Sequence, residues 1–315
     1  MKRTNFFLSG SAFKLGAVKP VEALLEKENI SAIDLAAYRE RGLASFCEHT
    51  GPTSELYMAS ISETLDKAAL TPSEIDAVIF SSSASDWTSE DETALLTALQ
   101  KFGFLKTRLV GLSLQACSGC GEALRLACDL LGGSATNVLV VICGRTPTHR
   151  RRISPRAATI FSDGAASCIV SSSVGEFEIL SASGHTNIPL SVVSDRTGSL
   201  LSPLKQIKGA FGDLRALSRQ VCDLAEVSRE SIRSVFCTNG SNVHAMLISE
   251  AAEIPLARVY TDDIPLYGHV YSCDNLISLT TYSIKNQMAG GSLYMLVGWS
   301  PYIFSAAILR STSDF

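Results

Sequence analysis

One of the nine cysteines in this chain of 315 residues stands in a place suited to covalent chemistry. Cys117 lies where alternating apolar residues over 112–116 give way to apolar residues at helical spacing over 123–131. This change of period predicts that Cys117 lies on the turn between a strand and a helix. Backbone N–H groups at a helix start have no intrahelical partner and carry partial positive charge, so they stabilise a thiolate. The sequence therefore predicts that Cys117 is a nucleophile.

Two other interpretations of this residue stay open. Most free cysteines are small buried packing residues, as is expected of the majority here. Cys117 and Cys120 also form a C-x-x-C, a spacing typical of a dithiol redox pair at a helix start. The sequence contains no second C-x-x-C to complete a zinc site, and it is longer than one thioredoxin-like unit. We therefore expect neither a metal nor a cofactor.

Composition excludes several classes of partner. A hydrophobic content of 46% supports a large core in one or two domains. The net charge of −4 gives no basis for nucleic-acid binding, and no apolar run approaches the roughly 18 residues that a membrane span needs. An odd number of scattered cysteines indicates reduced thiols. We expect a cytoplasmic protein with neither a nucleic-acid nor a membrane partner.

The order of strand and helix signals repeats along the chain. In the first half, apolar strands over 75–80 and 137–143 flank the turn at Cys117, and the second of them is apolar throughout. From about residue 174 the same order returns, with strands predicted over 234–238 and 293–297. We predict an α/β fold of two duplicated halves, residues 1–173 and 174–315. Turns at the ends of their parallel strands then converge on a shared site.

Four segments carry a resemblance to a known family: Ala116-Cys117-Ser118-Gly119, Phe161-Ser-Asp163-Gly164-Ala-Ala, Asn239-Gly-Ser-Asn242 and Tyr267-Gly268-His269. In this order they resemble ketoacyl-acyl-carrier-protein synthase III of the thiolase superfamily, over about residues 5 to 309. The resemblance implies the thiolase fold with αβαβα layers and a homodimer. It also implies acyl transfer to Cys117 from a thioester, followed by attack of a malonyl-derived carbanion.

The chain departs from the family at two site positions. Asn239 stands where the family pattern H-Q-A-N has its histidine, and His269 stands where Y-G-N has its asparagine. We predict that His269 is the imidazole that faces Cys117, and that Asn239 donates its amide N–H to the substrate carbonyl. A structural histidine at 269 and a helix-capping role for Asn239 are the alternatives. His244 is the main competitor, and it is expected to point along the wall instead.

The resemblance also bears on the oxyanion and on the acyl donor. The expected oxyanion donors are the backbone N–H of Cys117 and one from the loop that carries Ser300. Arg150, Arg151 and Arg156 are expected to meet the phosphate of phosphopantetheine or an acidic carrier protein, with a solvated loop as the alternative. The adenine-stacking tryptophan of the family has no counterpart over 31–42. The expected partner is an acyl thioester of acyl-carrier protein or coenzyme A, and this departure favours the carrier protein as the direct donor.

The sequence thus predicts a ketoacyl synthase III-like acyltransferase that condenses acyl-Cys117 with a malonyl-type thioester in fatty-acid or polyketide-type biosynthesis. One alternative is a transferase that passes the acyl group to an alcohol, amine or thiol without decarboxylation. Another is a non-catalytic partner subunit, whose mark would be loss of the nucleophile. A homodimer is also expected because the apolar strand over 137–143 would need covering if it lay at a sheet edge.

Overall fold

The computed structural model describes residues 5–83, 87–154, 159–193 and 202–313. The strands are β1 (Phe6–Leu15), β2 (Ala17–Pro20), β3 (Ser45–Glu48), β4 (Ala77–Ser82), β5 (Arg108–Leu112), β6 (Asn137–Gly144), β7 (Gly164–Ser171), β8 (Phe177–Thr186), β9 (Ile232–Cys237), β10 (Leu293–Trp299) and β11 (Ile303–Ser311). The helices are α1 (Leu24–Lys27), α2 (Ala32–Glu40), α3 (Thr53–Ala68), α4 (Ser89–Phe102), α5 (Gly119–Leu131), α6 (Ile188–Val193), α7 (Ser202–Ala225), α8 (Asn242–Ala252), α9 (Ile264–Tyr267) and α10 (Asp274–Lys285).

Strand pairing shows the duplication directly. The sheet order is β5-β4-β6-β7-β1 in the first half and β8-β11-β10-β9 in the second, and β1 pairs with β8. Parallel pairs β4–β6 and β9–β10 occupy equivalent places, and so do antiparallel pairs β6–β7 and β10–β11. An isolated parallel bridge between Val235 and Val259 lies beside β9, where β5 lies beside β4 in the first half. The predicted boundary at residue 173 falls between β7 and β8, and the division into two domains stays a prediction.

Alternate residues of the buried strands face different helical layers. In β6, Val140 packs towards α5 and α10, and its neighbour Val141 packs towards α3 and α4. In β10, Leu296 packs towards the same central helices, and Val297 packs towards α7 and α8. Burial of both strand faces contributes about 25 cal/mol per Å² of apolar area. The result is the αβαβα layering and thiolase fold that the sequence predicts, with α5 and α10 in the middle layer.

Three details differ from the sequence predictions. The strand before Cys117 covers Arg108–Leu112, so it ends earlier than expected, and Ala116–Ser118 form a short 3-10 helix. The Gly-Pro turn in the segment over 39–52 favours a loop, but this segment contains β3, which pairs with β2. The strand over 137–143 is β6, which is paired on both sides by β4 and β7, whereas β5 ends the order on that side. The argument for a dimer through an exposed edge of that strand is therefore wrong, although the dimer itself stays a prediction.

In the described part of the chain, no helix combines the length and apolar character that crossing a bilayer requires.

Candidate active site

Cys117 lies in the short 3-10 helix that leads directly into α5. The Cys117 side chain is partly exposed. The next residue, Ser118, is hydrogen-bonded to the second half of the fold. Ser118 donates its hydroxyl to the Ile303 carbonyl at 2.8 Å, and its own carbonyl accepts from the Ser305 hydroxyl at 2.8 Å. These two hydrogen bonds fix the turn against β11, so the thiol has a defined position.

His269 supplies the imidazole beside this thiol. Its Nε2 lies 3.0 Å from Cys117 Sγ, and the ring is 3% exposed. The backbone of His269 pairs with the segment before β7, since its N–H donates to the Ile160 carbonyl at 2.9 Å and its carbonyl accepts from the Ser162 N–H at 2.8 Å. Gly268 has φ of +63° and ψ of −148°, a backbone conformation essentially restricted to glycine. The chain can therefore turn His269 towards Cys117 only because glycine precedes it.

Asp274 completes the arrangement from the first residue of α10. Its Oδ2 lies 2.5 Å from His269 Nδ1 and also accepts the Asn239 backbone N–H at 2.7 Å. Its Oδ1 accepts the Val270 backbone N–H at 2.7 Å, and the carboxylate is fully buried. A carboxylate on Nδ1 fixes the orientation of the ring and stabilises its protonated form. The structure thus brings a thiol, an imidazole and a carboxylate into one line.

The charges of the site favour a protonated imidazole. Burial lowers the pKa of His269, but the negative charges of Cys117 and Asp274 outweigh it and raise that pKa to about 10. In contrast, burial raises the pKa of the Cys120 thiol to about 12, and Cys120 lies in the central core. Of the two cysteines in the C-x-x-C, only Cys117 therefore has a partner that stabilises a thiolate.

Backbone strain is found beside both reacting groups. Leu114 and Ala116, just before the thiol, have φ of 62° and 43°, and Tyr271, two residues after His269, has φ of 55°. A non-glycine residue in the left-handed region costs of the order of 1–3 kcal/mol, and such residues often cluster at functional sites. The Tyr271 ring stacks on Phe161 at 4.9 Å, and both rings lie beside the imidazole. Packing therefore holds strained turns in place around the pair.

A cavity of about 270 Å³ gives access to this pair. Cys117 and His269 line it together with Phe161, Trp299 and a second imidazole, His244. Apolar walls with a few convergent polar groups are typical of a small-molecule site. Among the described residues, no group of three or more His, Cys, Asp or Glu side chains could hold a metal ion.

Comparison with known proteins bears on this geometry. Residues 113–187 match the family 3-oxoacyl-[acyl-carrier-protein] synthase III. The mycobacterial β-ketoacyl-[acyl-carrier-protein] synthase III of Mycobacterium marinum is 28% identical over 173 residues, which are 53% of this chain and 51% of the relative. The match thus spans about half the length of that curated relative.

Structural similarity to solved proteins extends over almost the whole length of this chain. The 3-oxoacyl-[acyl-carrier-protein] synthase III of Aquifex aeolicus superimposes with a TM-score of 0.79 at 20% identity, and the match covers 97% of this chain and 99% of that one. The chain therefore has the fold of ketoacyl synthase III structures. ChlB3, titled an acyltransferase, superimposes with a TM-score of 0.82 at 16% identity, covering 98% of both chains.

The side chain of Asn239, the predicted amide donor, is hydrogen-bonded to α10. Asn239 is 1% exposed, its Nδ2 donates to the Ser278 hydroxyl at 3.2 Å, and it is not among the described residues that line the cavity. Its backbone N–H donates to Asp274. The contact of the Asn239 amide with the substrate carbonyl stays a prediction.

The backbone N–H of Ser300 is also engaged in a hydrogen bond within the protein. Ser300 lines the cavity, but its backbone N–H donates to the Ile303 carbonyl at 2.9 Å in the turn between β10 and β11. The neighbouring Trp299 N–H donates to the Thr238 hydroxyl at 3.0 Å. Both N–H groups therefore hold hydrogen bonds of the fold, and a second oxyanion donor from this loop stays a prediction.

The predicted arginines lie apart from the thiol. Arg150 and Arg151 line a different cavity of about 440 Å³, where Lys27 and Arg145 add positive charge. Arg151 is 62% exposed and pairs with Glu28. Arg156 lies outside the described residues.

The neighbouring Arg152 has a structural role. Its buried guanidinium binds Asp163 at 2.6 and 3.0 Å, and Asp163 also accepts the His49 and Thr146 backbone N–H groups at 2.9 Å. These hydrogen bonds indicate a structural role for Asp163 as well.

Proposed function

We propose that this protein is an acyltransferase that takes an acyl group from a thioester onto Cys117 and passes it to a second substrate. The 3.0 Å contact between Cys117 Sγ and His269 Nε2, with Asp274 behind the ring, carries the proposal. A thiol paired with an imidazole, itself oriented by a third group, is the arrangement that activates cysteine nucleophiles.

In the first half-reaction, the Cys117 thiolate attacks the thioester carbonyl carbon, and a new carbon–sulfur bond forms. The bond to the donor sulfur breaks, and the departing thiolate takes the proton from His269 Nε2. The backbone N–H of Cys117 stabilises the oxyanion. His269 is neutral after this step, and its Nε2 can accept a proton next to the acylated sulfur.

In the second half-reaction, His269 removes a proton from an alcohol, amine or thiol while that group attacks the acyl carbon. The carbon–sulfur bond breaks, and the Cys117 thiolate and the His269 imidazolium return. The line of Cys117, His269 and Asp274 favours this route, because His269 Nε2 is neutral after acylation and can take the proton of the acceptor. Decarboxylative condensation with a malonyl-type thioester is the second candidate, and the match to 3-oxoacyl-[acyl-carrier-protein] synthase III favours it.

Arg150 and Arg151 are proposed to bind the phosphate of phosphopantetheine on a carrier protein or coenzyme A. The support is the concentration of cationic side chains around their cavity. Charge of this kind chiefly accelerates the encounter with an acidic partner. Their replacement by alanine should therefore raise KM for a carrier-bound thioester and weaken its dependence on salt.

Intact-mass analysis tests the proposal. The protein is incubated with acetyl and octanoyl thioesters of coenzyme A and of a carrier protein. Malonyl thioester or an alcohol is then added. We expect the acyl mass on the wild type and on Cys120→Ala, and none on Cys117→Ala. Acylation of Cys117→Ala would refute the assignment of Cys117 as the nucleophile.

The second addition separates the two routes. Release of carbon dioxide with a β-ketoacyl product identifies condensation. An ester without carbon dioxide identifies direct transfer.

A further inference from the structure

A second imidazole lines the active-site cavity without taking part in the thiol contact. His244 Nδ1 lies 3.0 Å from the Ser241 hydroxyl, and the ring lies 5.2 Å from the ring of Trp299. Within the part of the chain that the structure describes, His244 Nε2 makes no hydrogen bond to protein. The cavity wall thus carries a polar atom whose hydrogen-bonding capacity the described fold does not use.

The His244 ring is held in place rather than mobile on the surface. A Cβ atom at Gly240 would lie 2.6 Å from His244 Nδ1, so the backbone and the ring can approach this closely only with glycine at that position. Ser241 and Trp299 hold two further sides of the ring. An imidazole fixed in this way can orient a ligand at little entropic cost.

The protonation state of His244 differs from that of His269. Burial, together with the positive charges of His269 and Arg41, lowers the pKa of His244 to about 4. At neutral pH the ring is therefore uncharged, with one N–H and one lone pair. Such a ring pairs best with a hydroxyl or amino group, because these groups both donate and accept hydrogen bonds.

Given the acyl transfer proposed above, on which this step rests, we propose that His244 binds the acceptor substrate and that this acceptor is uncharged. Its Nε2 hydrogen-bonds the hydroxyl or amino group of the acceptor and holds it for attack on acyl-Cys117. The acceptor X–H proton goes to His269 Nε2, the X–C bond forms and the C–S bond to Cys117 breaks. His244 is thus a specificity-determining residue, and His269 remains the base.

The rest of the cavity wall supports an uncharged acceptor. Among the described residues that line it there is no Lys, Arg, Asp or Glu side chain. Beyond the Cys117–His269 pair, the described lining offers a charged acceptor no counter-ion, so loss of its hydration there is costly. The aromatic rings of Phe161 and Trp299 instead offer contacts for an apolar body.

The test uses full-length protein loaded with acetyl groups from acetyl-coenzyme A. Benzyl alcohol is one acceptor, and 4-(hydroxymethyl)benzoate, which differs by one carboxylate, is the other. His244→Phe keeps a ring beside Trp299, His244→Gln keeps a hydrogen-bonding group, and His185→Phe changes a histidine outside the cavity. Loading and ester formation are measured separately by mass spectrometry.

We expect all three variants to load acetyl within about twofold of the wild type. His244→Phe should raise KM for benzyl alcohol by about tenfold or more, and His244→Gln should restore it to within about threefold, as loss and return of one hydrogen bond require. His185→Phe should leave KM unchanged. The wild type should prefer benzyl alcohol over the carboxylate by about tenfold or more.

An unchanged KM in His244→Phe, or a preference for the carboxylate, would overturn the inference. Equal loss of loading and transfer in His244→Phe would also overturn it, since a structural role would then explain the effect. Failure of the wild type to load is a different result, because it refutes the acyltransferase proposal itself. In that case saturation-transfer NMR with benzyl alcohol still decides the binding role, and equal signals for wild type and His244→Phe refute it.

Discussion

Replacing Asp274 with asparagine removes one negative charge from a buried site and keeps the size of the side chain. Asparagine can still accept the Val270 N–H through its carbonyl oxygen. Its amide nitrogen then faces the His269 Nδ1–H and the Asn239 N–H, so donors oppose donors. The pKa of His269 should fall from about 10 towards its ordinary value, because one of the charges that raise it is gone.

The expected magnitude follows from these contacts. Loss of one hydrogen bond to a charged group costs roughly 1.5–3 kcal/mol, which is roughly 10- to 150-fold in rate. The imidazole also loses the partner that selects its tautomer, and the same change in a Ser–His–Asp triad costs about 10⁴-fold. We therefore expect kcat/KM of Asp274→Asn to fall by about 10² to 10⁴.

Alkylation of Cys117 by iodoacetamide distinguishes this role from a structural one. In the wild type, the thiolate–imidazolium pair should keep alkylation fast at pH 6. In Asp274→Asn we expect the rate at pH 6 to fall by about tenfold, with recovery at higher pH. Asp129→Asn, an exposed change on α5, is the matched control. Melting curves are recorded to check that each variant is folded. If asparagine destabilises the fold, Asp274→Glu is the substitute variant, because it retains the negative charge.

A folded Asp274→Asn variant with the turnover and alkylation profile of the wild type would refute the reasoning. His269 would then keep its protonated form without the carboxylate, and the line of three groups would have no catalytic meaning.

Four further outcomes are expected. His269→Ala should lower turnover by about 10² to 10⁴, measured by ester formation, whereas wild-type turnover would rule out an acid–base role. Arg152→Met should cost about 3–5 kcal/mol in urea unfolding because buried carboxylates lose their cation, and Arg39→Met, whose pair with Glu22 is exposed on both sides, should stay within about 1 kcal/mol. Burial raises the pKa of Asp263, so this carboxyl stabilises the fold at low pH and less as pH rises through the raised value. The stability of wild type relative to Asp263→Asn should thus decline as pH rises above about 4, the ordinary pKa of the group, and a constant difference would contradict this. Light scattering at micromolar concentration should show a dimer, and a clean monomer would contradict that prediction.

Elements with strong periodicity could be predicted well from the sequence. Apolar residues at helical spacing over 54–69 predict a helix, which is α3, Thr53–Ala68, and the apolar strand over 137–143 is β6. In contrast, helical spacing predicts a helix only over 214–225, whereas α7 begins at Ser202. Gly209 and Gly212 weaken the helix propensity of its first part, and packing compensates for that cost. The order of strands in the sheet, and hence which strand lies at the edge, depends on pairing that periodicity does not encode.

The types of residue in the site could be predicted from the sequence better than the contacts between them. The motif around Cys117 and the glycine before His269 pointed to the two groups that the structure brings together. Asp274 was missed because an acidic residue in the first turn of a helix has an ordinary explanation in helix capping and the helix dipole. The only signal was its position shortly after His269. The orientation of Asn239 depends on Ser278, a contact between distant segments that no local pattern shows.

Cys117 and His269 are 152 positions apart in the sequence, and this separation has a consequence for the chain during synthesis. At about 5–20 residues per second, the thiol emerges from the ribosome roughly 8–30 s before its imidazole. In that interval Cys117 lacks the imidazole and the cavity of the folded site, and it behaves as an unassisted thiol. Under the proposed mechanism, fast acylation begins only when both halves are folded. A nascent or truncated chain should therefore capture acyl groups much more slowly than the complete protein, so the rate of acylation would report completion of the fold.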